Sequence, residues 1–337
     1  MRICIIGAGA IGGVVAGALA KEGYDITLVT KHADTAEKIN SSGIEVKGSY
    51  GDFTIPIPAV ASVGELQGKF NYVLIATKAD GLEDAAKGVL PFLYVNSRVI
   101  SMQNGICEEM LAAIVGPERT IGCVVGFGAT MLAPGVVEKT SGGEFIMGNW
   151  EGEPDEALKK LSELLNTVVE TRISAEIFQE LYSKLIINSC ITTLGAVCGL
   201  YLGEMLAKQH TRRLFIGVIK EAIQVADAMR MKVPPGASGK LDYYKFLSSG
   251  PLSEFKRHLT IRVIGMKYSK LKSSSLQSLE RGRKTEVKNY NGYIATKGKE
   301  YAVSTPINEQ LTLMVGEIEE GKRKITPDNF KEIQVGV

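Results

Sequence analysis

The feature that most constrains the fold is a glycine-rich stretch directly after the first apolar run of the chain. Residues 2–13 read RICIIGAGAIGG, a short apolar run followed by a Gly-x-Gly-x-x-Gly pattern. The run is too short to span a membrane and predicts a strand that is buried on both faces. The pattern is typical of a tight turn at Gly7, a main chain that approaches a dinucleotide pyrophosphate at Gly9, and close helix–strand packing at Gly12.

The context of this stretch decides its interpretation, because the pattern alone would also fit a bare glycine-rich turn. A helix is predicted from Ala10 to Lys21, and a second strand from Tyr24 to Val29. The free N–H groups at the start of such a helix favour an anionic pyrophosphate. The sequence therefore predicts a dinucleotide-binding unit. Its predicted cofactor-binding residues are Gly7, Ala8, Gly9, Ala10, Ile11 and Gly12.

The end of the second predicted strand bears on which nicotinamide cofactor is used. An acidic residue there binds the 2′-hydroxyl of NAD, whereas a basic residue accommodates the 2′-phosphate of NADP. This chain has Lys31 with His32 beside it and Lys38 one or two helical turns further on, and it has neither Asp nor Glu at the strand end. The sequence therefore favours NADP, the alternative being that Lys31 is an ordinary solvated loop residue.

The rest of the first half predicts alternating strands and helices. Two extended pieces, residues 43–49 and 52–57, are predicted to form an inserted hairpin whose turn includes Tyr50. The further predicted strands are residues 70–76, 98–102, 120–125 and 168–172, the predicted helices are residues 33–41, 80–90, 107–115 and 154–167, and residues 135–147 are predicted to form a polar hairpin. This alternation is typical of an α/β fold with a doubly wound parallel sheet of Rossmann type.

Polar residues follow two of these strands, where ligands of such sheets bind. Thr77 and Lys78 follow the strand at residues 70–76, and Gln103-Asn104-Gly105 follows the strand at residues 98–102. We expect both segments to face cofactor or substrate. An ordinary turn is the alternative, especially for the Asn-Gly dipeptide.

From Ser174 onward the pattern becomes helical, which predicts an all-α second domain. The predicted domains are residues 1–172 for dinucleotide binding and residues 173–337 for substrate binding and catalysis. The apolar segment from Leu185 to Leu202 contains Asn188, Thr192 and further polar residues. We therefore expect a buried helix there, and not a membrane span.

Composition limits the classes of partner and the compartment. The 337 residues include 39 basic and 37 acidic side chains, so charge gives no argument for a nucleic-acid partner. The N-terminus lacks the pattern of a signal peptide, which predicts a cytoplasmic protein. The five cysteines are far apart and predict buried, reduced thiols and no metal site.

The predicted helix at residues 175–197 carries Lys184, Asn188 and Thr192, each four residues after the last. This spacing places them on one polar stripe of an otherwise apolar helix. Since an unpaired buried charge costs several kcal/mol, the polar groups of the stripe are expected to have binding partners. It would line a substrate cleft, or it would pair with another helix. Further along the chain, a Ser-Ser-Ser-Leu-Gln run at residues 273–277 precedes Glu286, whose role is ambiguous from the sequence alone.

Taken in order, these motifs make the chain resemble the ketopantoate reductase family. The resemblance extends from Gly7 to Asn291. In the first half, its parts are the Gly-x-Gly-x-x-Gly turn, a lysine after the strand at residues 70–76, and a Gln-Asn-Gly after the strand at residues 98–102. In the second half, they are a Lys-x-x-x-Asn helix, a Ser-Ser-x-x-Gln run and a Thr-Glu-x-x-x-x-Asn-Gly segment. It implies NADPH-dependent reduction of 2-dehydropantoate (ketopantoate) to pantoate, in pantothenate and coenzyme A biosynthesis.

The resemblance also implies roles for single residues. Lys78 and Asn104 would border cofactor and substrate, and Lys184 would be the general acid. Asn188 and Ser274 would bind the hydroxyl and carboxylate of the substrate, and Glu286 would support Lys184 and the substrate. The chain departs from the family at two positions, where Thr192 replaces an asparagine and Ser278 replaces an aspartate.

Other functions stay open. The first is an NADP-dependent reductase of another small 2-keto acid, and the second is a β-hydroxyacid or opine-type dehydrogenase. The third is a non-catalytic NADP-binding regulator, against which Lys184 and Glu286 argue. The expected partner is a small 2-keto acid, and neither a nucleic acid nor a membrane. A homodimer is compatible with the sequence, which does not fix the oligomeric state.

Overall fold

The computed structural model describes residues 1–49 and 51–334, with the backbone alone for residues 237 and 238. Tyr50, in the predicted hairpin turn, lies outside the described residues. The chain divides into two compact units, Met1–Leu181 and Tyr182–Val337. The division falls inside one helix, Ile177–Cys198, and lies after the predicted domain boundary. The assignment of cofactor binding to residues 1–172 and of substrate binding to residues 173–337 stays a prediction.

The first unit contains two sheets and the helices that cover them. Its strands are β1 (Arg2–Ile6), β2 (Asp25–Val29), β3 (Ile44–Gly48), β4 (Phe53–Ile55), β5 (Ala59–Val60), β6 (Phe70–Ile75), β7 (Leu93–Ser101), β8 (Thr120–Val125), β9 (Gly128–Ala133), β10 (Val136–Ser141), β11 (Phe145–Asn149) and β12 (Thr171–Ile173). Its helices are α1 (Ala10–Lys21), α2 (Ala33–Ser42), α3 (Leu82–Val89), α4 (Glu108–Val115), α5 (Glu156–Leu165) and the start of α6 (Ile177–Cys198).

The main sheet has the strand order β12-β11-β8-β7-β6-β1-β2-β5. Neighbouring strands are parallel except β8 and β11, which are antiparallel. β1 lies inside the sheet, and its side chains alternate between two apolar cores: Ile3 and Ile5 belong to one, and Cys4 and Ile6 to the other. Burial on both faces explains why this strand is apolar throughout. The predicted doubly wound sheet is confirmed.

A smaller sheet, with the order β4-β3-β10-β9, lies against α1. A Cβ atom placed on Gly13 would lie 2.7 Å from Val137, and one on Gly17 would lie 2.4 Å from Val46. Glycines on this face of α1 therefore let the sheet approach the helix closely. The predicted hairpin at residues 43–57 is confirmed as the antiparallel pair β3 and β4.

The predicted polar hairpin at residues 135–147 is wrong. The hairpin consists of β9 and β10, so its turn lies between Ala133 and Val136. Phe145 and Met147 instead belong to β11 and are fully buried in the main sheet, where β11 pairs with β8. Pairing with β8 and β12 places β11 inside the main sheet, where Phe145 and Met147 pack in a core that includes residues of α5. The local polarity of the segment does not reveal these distant contacts.

The last predicted strand, residues 168–172, is shorter than expected. β12 begins at Thr171, whose N–H donates to the side-chain oxygen of Asn166. Val168 and Val169 are buried in the core from the turn that follows α5. Their apolar character therefore reflects core packing, and not strand pairing.

The second unit is helical, as predicted. After α6 it contains α7 (Leu202–Ala207), α8 (Gln209–Ala228), α9 (Gly236–Gly239), α10 (Tyr243–Leu247), α11 (Ser253–Lys267), α12 (Ser274–Glu280), α13 (Asn291–Glu300) and α14 (Pro306–Glu319). α6 is long and apolar enough to cross a membrane, but most of its apolar stretch is buried inside the protein. All five cysteines are buried, as expected.

Candidate active site

The glycine-rich turn connects β1 to α1 at the carboxyl end of the main sheet. Gly7 has a φ of +114°, a conformation that favours glycine. A Cβ atom on Gly7 would lie 2.8 Å from the main-chain carbon of Ala76, and one on Gly12 would lie 2.0 Å from the carbonyl oxygen of Gly7. Backbone therefore fills the space at both positions, which is the close packing that the sequence predicts.

Gly9 differs from both, because no other described heavy atom lies within 4 Å of a Cβ atom placed on it. Gly9 is the N-cap of α1, and no described side chain caps this helix end. The first N–H groups of a helix lack partners within the helix, and they carry partial positive charge. Open space beside such N–H groups fits a pyrophosphate, so the residues from Gly7 to Gly12 fit a dinucleotide.

This contrast predicts different effects for two glycine substitutions. We expect Gly9→Ala to leave the melting temperature within about 2 °C of wild type, since its Cβ fits, while NADPH affinity falls at least about tenfold because the methyl occupies the pyrophosphate space. Gly12→Ala should instead lower the melting temperature, because its Cβ meets backbone. Thermal unfolding and calorimetric titration measure both effects. Wild-type NADPH affinity in Gly9→Ala would contradict the assignment of the pyrophosphate to this turn.

Lys31 lies just beyond the end of β2, the strand that pairs with β1. The N–H of Gly7 donates to the carbonyl of Val29 at 2.9 Å, so this strand end lies beside the glycine turn. Thr30 is buried, and its hydroxyl donates to the carbonyl of His32 at 2.8 Å. Lys31 itself is exposed. The backbone at this strand end is thus fixed beside the glycine turn, and the Lys31 side chain is exposed.

The strand ends after β6 and β7 are tied together at the same edge of the sheet. The Ser101 hydroxyl donates to the side-chain oxygen of Gln103 at 2.8 Å, and the Gln103 amide donates to the Thr77 hydroxyl at 3.4 Å. Gln103 is buried, Asn104 is half-buried and Lys78 is exposed. Gln103 therefore joins the two strand ends, and Asn104 and Lys78 lie beside it in sequence at the same edge of the sheet.

In the second unit, α6 carries the predicted polar stripe. Lys184 and Asn188 are half-buried, and Thr192 is buried. The Thr192 hydroxyl donates to the carbonyl of Asn188 one turn earlier, at 2.8 Å. The hydroxyl proton of Thr192 is thus used within the helix, and only its oxygen is left as an acceptor. An asparagine amide at this position would offer both a donor and an acceptor.

The serine run lies against the same helix. Ser273 is buried and caps α12, accepting a hydrogen bond from the N–H of Leu276 at 3.1 Å. A Cβ atom on Gly195 of α6 would lie 2.6 Å from the Ser273 hydroxyl oxygen. Ser274, the predicted substrate ligand, is exposed at the first position of α12. The sequence did not distinguish the capping serine from the exposed one.

Glu286 lies in the segment before α13. Its carboxylate is half-buried and accepts a hydrogen bond from the Tyr290 hydroxyl at 2.9 Å. The next residue, Asn291, is fully buried and is joined to α6: its side-chain oxygen accepts from the Thr193 hydroxyl at 2.6 Å, and its amide donates to the carbonyl of Ser189 at 3.3 Å. The Glu286 segment is thereby fixed to the helix that carries Lys184.

A buried network extends from Asn291, and sequence reasoning did not identify it. The Asn291 amide donates to the Asn308 side chain at 2.9 Å, and the Asn308 amide donates to the Glu221 carboxylate at 2.7 Å. Glu221 also accepts from the N–H groups of Ile307 and Asn308 at the start of α14. Burial raises the pKa of the Glu221 carboxyl, against the lowering effect of these hydrogen bonds. The network joins α8, α13 and α14 to α6.

Two family models match most of the chain. One, described as ketopantoate reductase PanE/ApbA, matches residues 3–152, and its C-terminal counterpart matches residues 176–319. A 2-dehydropantoate 2-reductase of Aquifex aeolicus is 30% identical over 319 residues, covering 94% of this chain and 96% of that relative. The chain belongs to the ketopantoate reductase family. It is therefore an NADP-dependent oxidoreductase that acts on a CH–OH group.

Solved structures support the fold of this ketopantoate reductase family member. A family member from Ralstonia eutropha JMP134 has a TM-score of 0.81 at 24% identity, covering 96% of this chain and 100% of that one. D-mandelate dehydrogenase, in a ternary structure with NADH and anilino(oxo)acetate, has a TM-score of 0.81 at 22% identity, covering 96% and 99%. At these identities the likeness concerns the fold alone.

Proposed function

We propose that this chain reduces ketopantoate to pantoate with NADPH, using Lys184 as the general acid. The observation that carries the proposal is the stripe on α6, where Lys184 and Asn188 are half-buried on successive turns of a largely buried helix. A lysine and an amide kept at such a place fit a polar ligand. The relatives named 2-dehydropantoate 2-reductase match nearly the whole chain, which supports ketopantoate as that ligand.

The proposal assigns cofactor binding to the first unit. The residues from Gly7 to Gly12 would hold the pyrophosphate, Lys31 the 2′-phosphate, and Lys78 and Asn104 would border the nicotinamide and substrate. When bound, NADPH supplies the hydride that the ketone carbon of the substrate accepts. The protein then has to position the substrate and supply one proton to its oxygen.

The second unit carries these tasks in the proposal. The Lys184 ammonium group hydrogen-bonds the ketone oxygen, stabilises the charge that develops on it, and donates the proton that yields the alcohol. Asn188 binds the same end of the substrate, and Ser274 binds its carboxylate. Glu286, held by Tyr290, provides a negative charge that orients the ammonium group and the substrate.

Thr192 favours a second candidate, reduction of a different small 2-keto acid. Its hydroxyl proton is used by the Asn188 carbonyl, so the site has one donor fewer than an asparagine would supply. A lost hydrogen bond to a ligand costs about 0.5–1.5 kcal/mol. Identification of pantoate as the product of ketopantoate and NADPH tests the first candidate; recovery of unreacted ketopantoate would contradict it.

The basic end of β2 predicts a preference for NADPH over NADH. Wild type should bind NADPH at least about tenfold more tightly, because Lys31 pairs with the 2′-phosphate. Lys31→Asp should reduce or invert this preference, and Lys160→Asp on the exposed side of α5 is the control. Calorimetric titration of both cofactors measures the effect. Equal affinities of the wild type for NADPH and NADH would contradict it.

The proposed function also includes the substrate, the oligomeric state and the cellular compartment of the chain. A small keto acid is the substrate of this family. We further propose that the chain is a cytoplasmic homodimer that binds neither nucleic acid nor membrane. The nearly balanced charge of the chain supports the absence of a nucleic-acid partner.

A further inference from the structure

We propose that the homodimer forms through α11, whose exposed apolar stripe packs antiparallel against the same stripe of a second copy. The proposal rests on the homodimer part of the proposed function and is independent of the reductase activity. It names the surface and the partner, which the sequence leaves undefined.

The stripe consists of apolar side chains that point away from the protein along almost four turns of helix. Their exposed fractions are 71% for Leu252, 64% for Phe255, 48% for Leu259, 48% for Val263 and 61% for Met266. At 100° per residue, the four of them within α11 lie within about 40° of the direction of Leu259, and Leu252 directly precedes the helix as its N-cap. Scattered apolar residues are common on surfaces, but a continuous line of them marks an interaction site.

The opposite face of α11 fixes the direction of the stripe. Ile261 and Gly265 are buried there, and a Cβ atom on Gly265 would lie 2.8 Å from the Cβ of Leu206 in α7. At the N-terminal end, Leu252 has a φ of +62°, which is costly for a residue other than glycine. Leu252 is the N-cap of α11, and its carbonyl accepts a hydrogen bond from the N–H of Lys256 at 2.9 Å, so this conformation starts the helix while the leucine side chain stays exposed.

The shape of the stripe favours another helix as its occupant. It is only about 80° wide, the width of a coiled-coil seam, and Leu252, Leu259 and Met266 repeat every seven residues. An interfacial membrane helix presents a broader apolar face. A stripe of this kind is complementary to itself, as the contact of a two-fold dimer requires.

The exposed area of the stripe agrees with a second copy of α11 as its partner. With roughly 100 Å² exposed by each side chain, the stripe offers about 500 Å², close to the apolar part of the roughly 800 Å² that each partner buries in a standard interface. Antiparallel packing of the two copies places each helix beside the other with opposed dipoles. Lys256 and Arg262 flank the stripe, where their aliphatic stems add contact.

Sedimentation equilibrium of the full chain tests the surface. We expect wild type to be a dimer, and Leu259→Asp to raise its dissociation constant at least about 100-fold, because both copies then bury a carboxylate. Leu313→Asp, on an equally exposed leucine of α14, should leave the dimer intact. An unchanged dimer in Leu259→Asp would overturn the assignment of the dimer contact to α11. A monomeric wild type would overturn both this assignment and the proposed homodimer. Activity of the same samples reports separately on the reductase proposal.

Two further measurements exclude other arrangements. Because the native cysteines are buried, Leu259→Cys introduces an accessible thiol at the centre of the stripe, where the two copies of residue 259 meet. We expect mild oxidation to link it into a covalent dimer and to leave Leu313→Cys unlinked; no link in Leu259→Cys would overturn the antiparallel arrangement. Wild type should not float with phosphatidylcholine vesicles that contain phosphatidylglycerol, and flotation that Leu259→Asp abolishes would show that the stripe binds membranes instead.

Discussion

Lys184→Ala should lower kcat for ketopantoate reduction by about 10²–10⁴-fold while NADPH affinity stays near that of the wild type. The substitution removes both the positive charge near the ketone oxygen and the proton that the oxygen must receive. Cofactor binding is assigned to the glycine turn and Lys31, so it should not depend on Lys184. Steady-state kinetics and calorimetric titration of NADPH give the two quantities.

Matched variants separate this chemical role from a structural one. Lys184→Arg keeps the charge but holds its proton too tightly to donate it, so kcat should stay low. Lys220→Ala, on the exposed face of α8, should have wild-type kinetics. Glu286→Gln should impair turnover more mildly, since its proposed role is orientation. Wild-type turnover in a folded Lys184→Ala protein would remove Lys184 from the mechanism.

Glu221→Ala should lower the free energy of unfolding by about 3 kcal/mol. The Glu221 carboxylate accepts hydrogen bonds from the N–H groups of Ile307 and Asn308 and from the Asn308 amide. Without it, these buried donors at the start of α14 lose their acceptor, and the negative charge that opposes the helix dipole is lost. Denaturant-induced unfolding, analysed with a common slope, measures the difference.

Two other variants of this region serve as controls for the loss of unfolding free energy in Glu221→Ala. Glu309→Ala removes an exposed carboxylate from the same helix end, where it accepts only a long hydrogen bond of 3.4 Å from the Thr305 hydroxyl, and should lower stability by no more than about 1 kcal/mol. Glu221→Gln keeps one acceptor oxygen and should be intermediate, because its NH₂ group faces N–H donors. If Glu221→Ala unfolds at the same denaturant concentration as wild type, the network does not stabilise this unit.

The parts of the fold that could be predicted are those with a local cause. β1 and α1 follow from an apolar run and a glycine pattern that act within a dozen residues, and α1 begins and ends as predicted. The hairpin formed by β9 and β10 was misplaced because β11 is buried through pairing with β8, which lies earlier in the chain. No periodicity within β11 reveals that partner.

In the candidate site too, features with a local cause could be predicted from the sequence, and features that depend on distant contacts could not. The stripe of Lys184, Asn188 and Thr192 follows from helical spacing alone. Glu221 could not be recognised, because its partner Ile307 is 86 residues away and a single glutamate on an amphipathic helix is ordinarily solvated. Asn291 belongs to the Thr-Glu-x-x-x-x-Asn-Gly segment, but its link to α6 depends on packing between helices that are distant in sequence.

The reduction of ketopantoate by this chain is tested most directly by kcat/KM for NADPH oxidation with ketopantoate, measured beside a panel of other small 2-keto acids. We expect ketopantoate to be reduced with the highest kcat/KM of the panel, and Lys184→Ala to lose activity with every substrate. A higher kcat/KM for another keto acid would assign the enzyme to that substrate. No NADPH oxidation with any member, by a folded protein that binds NADPH, would contradict the account.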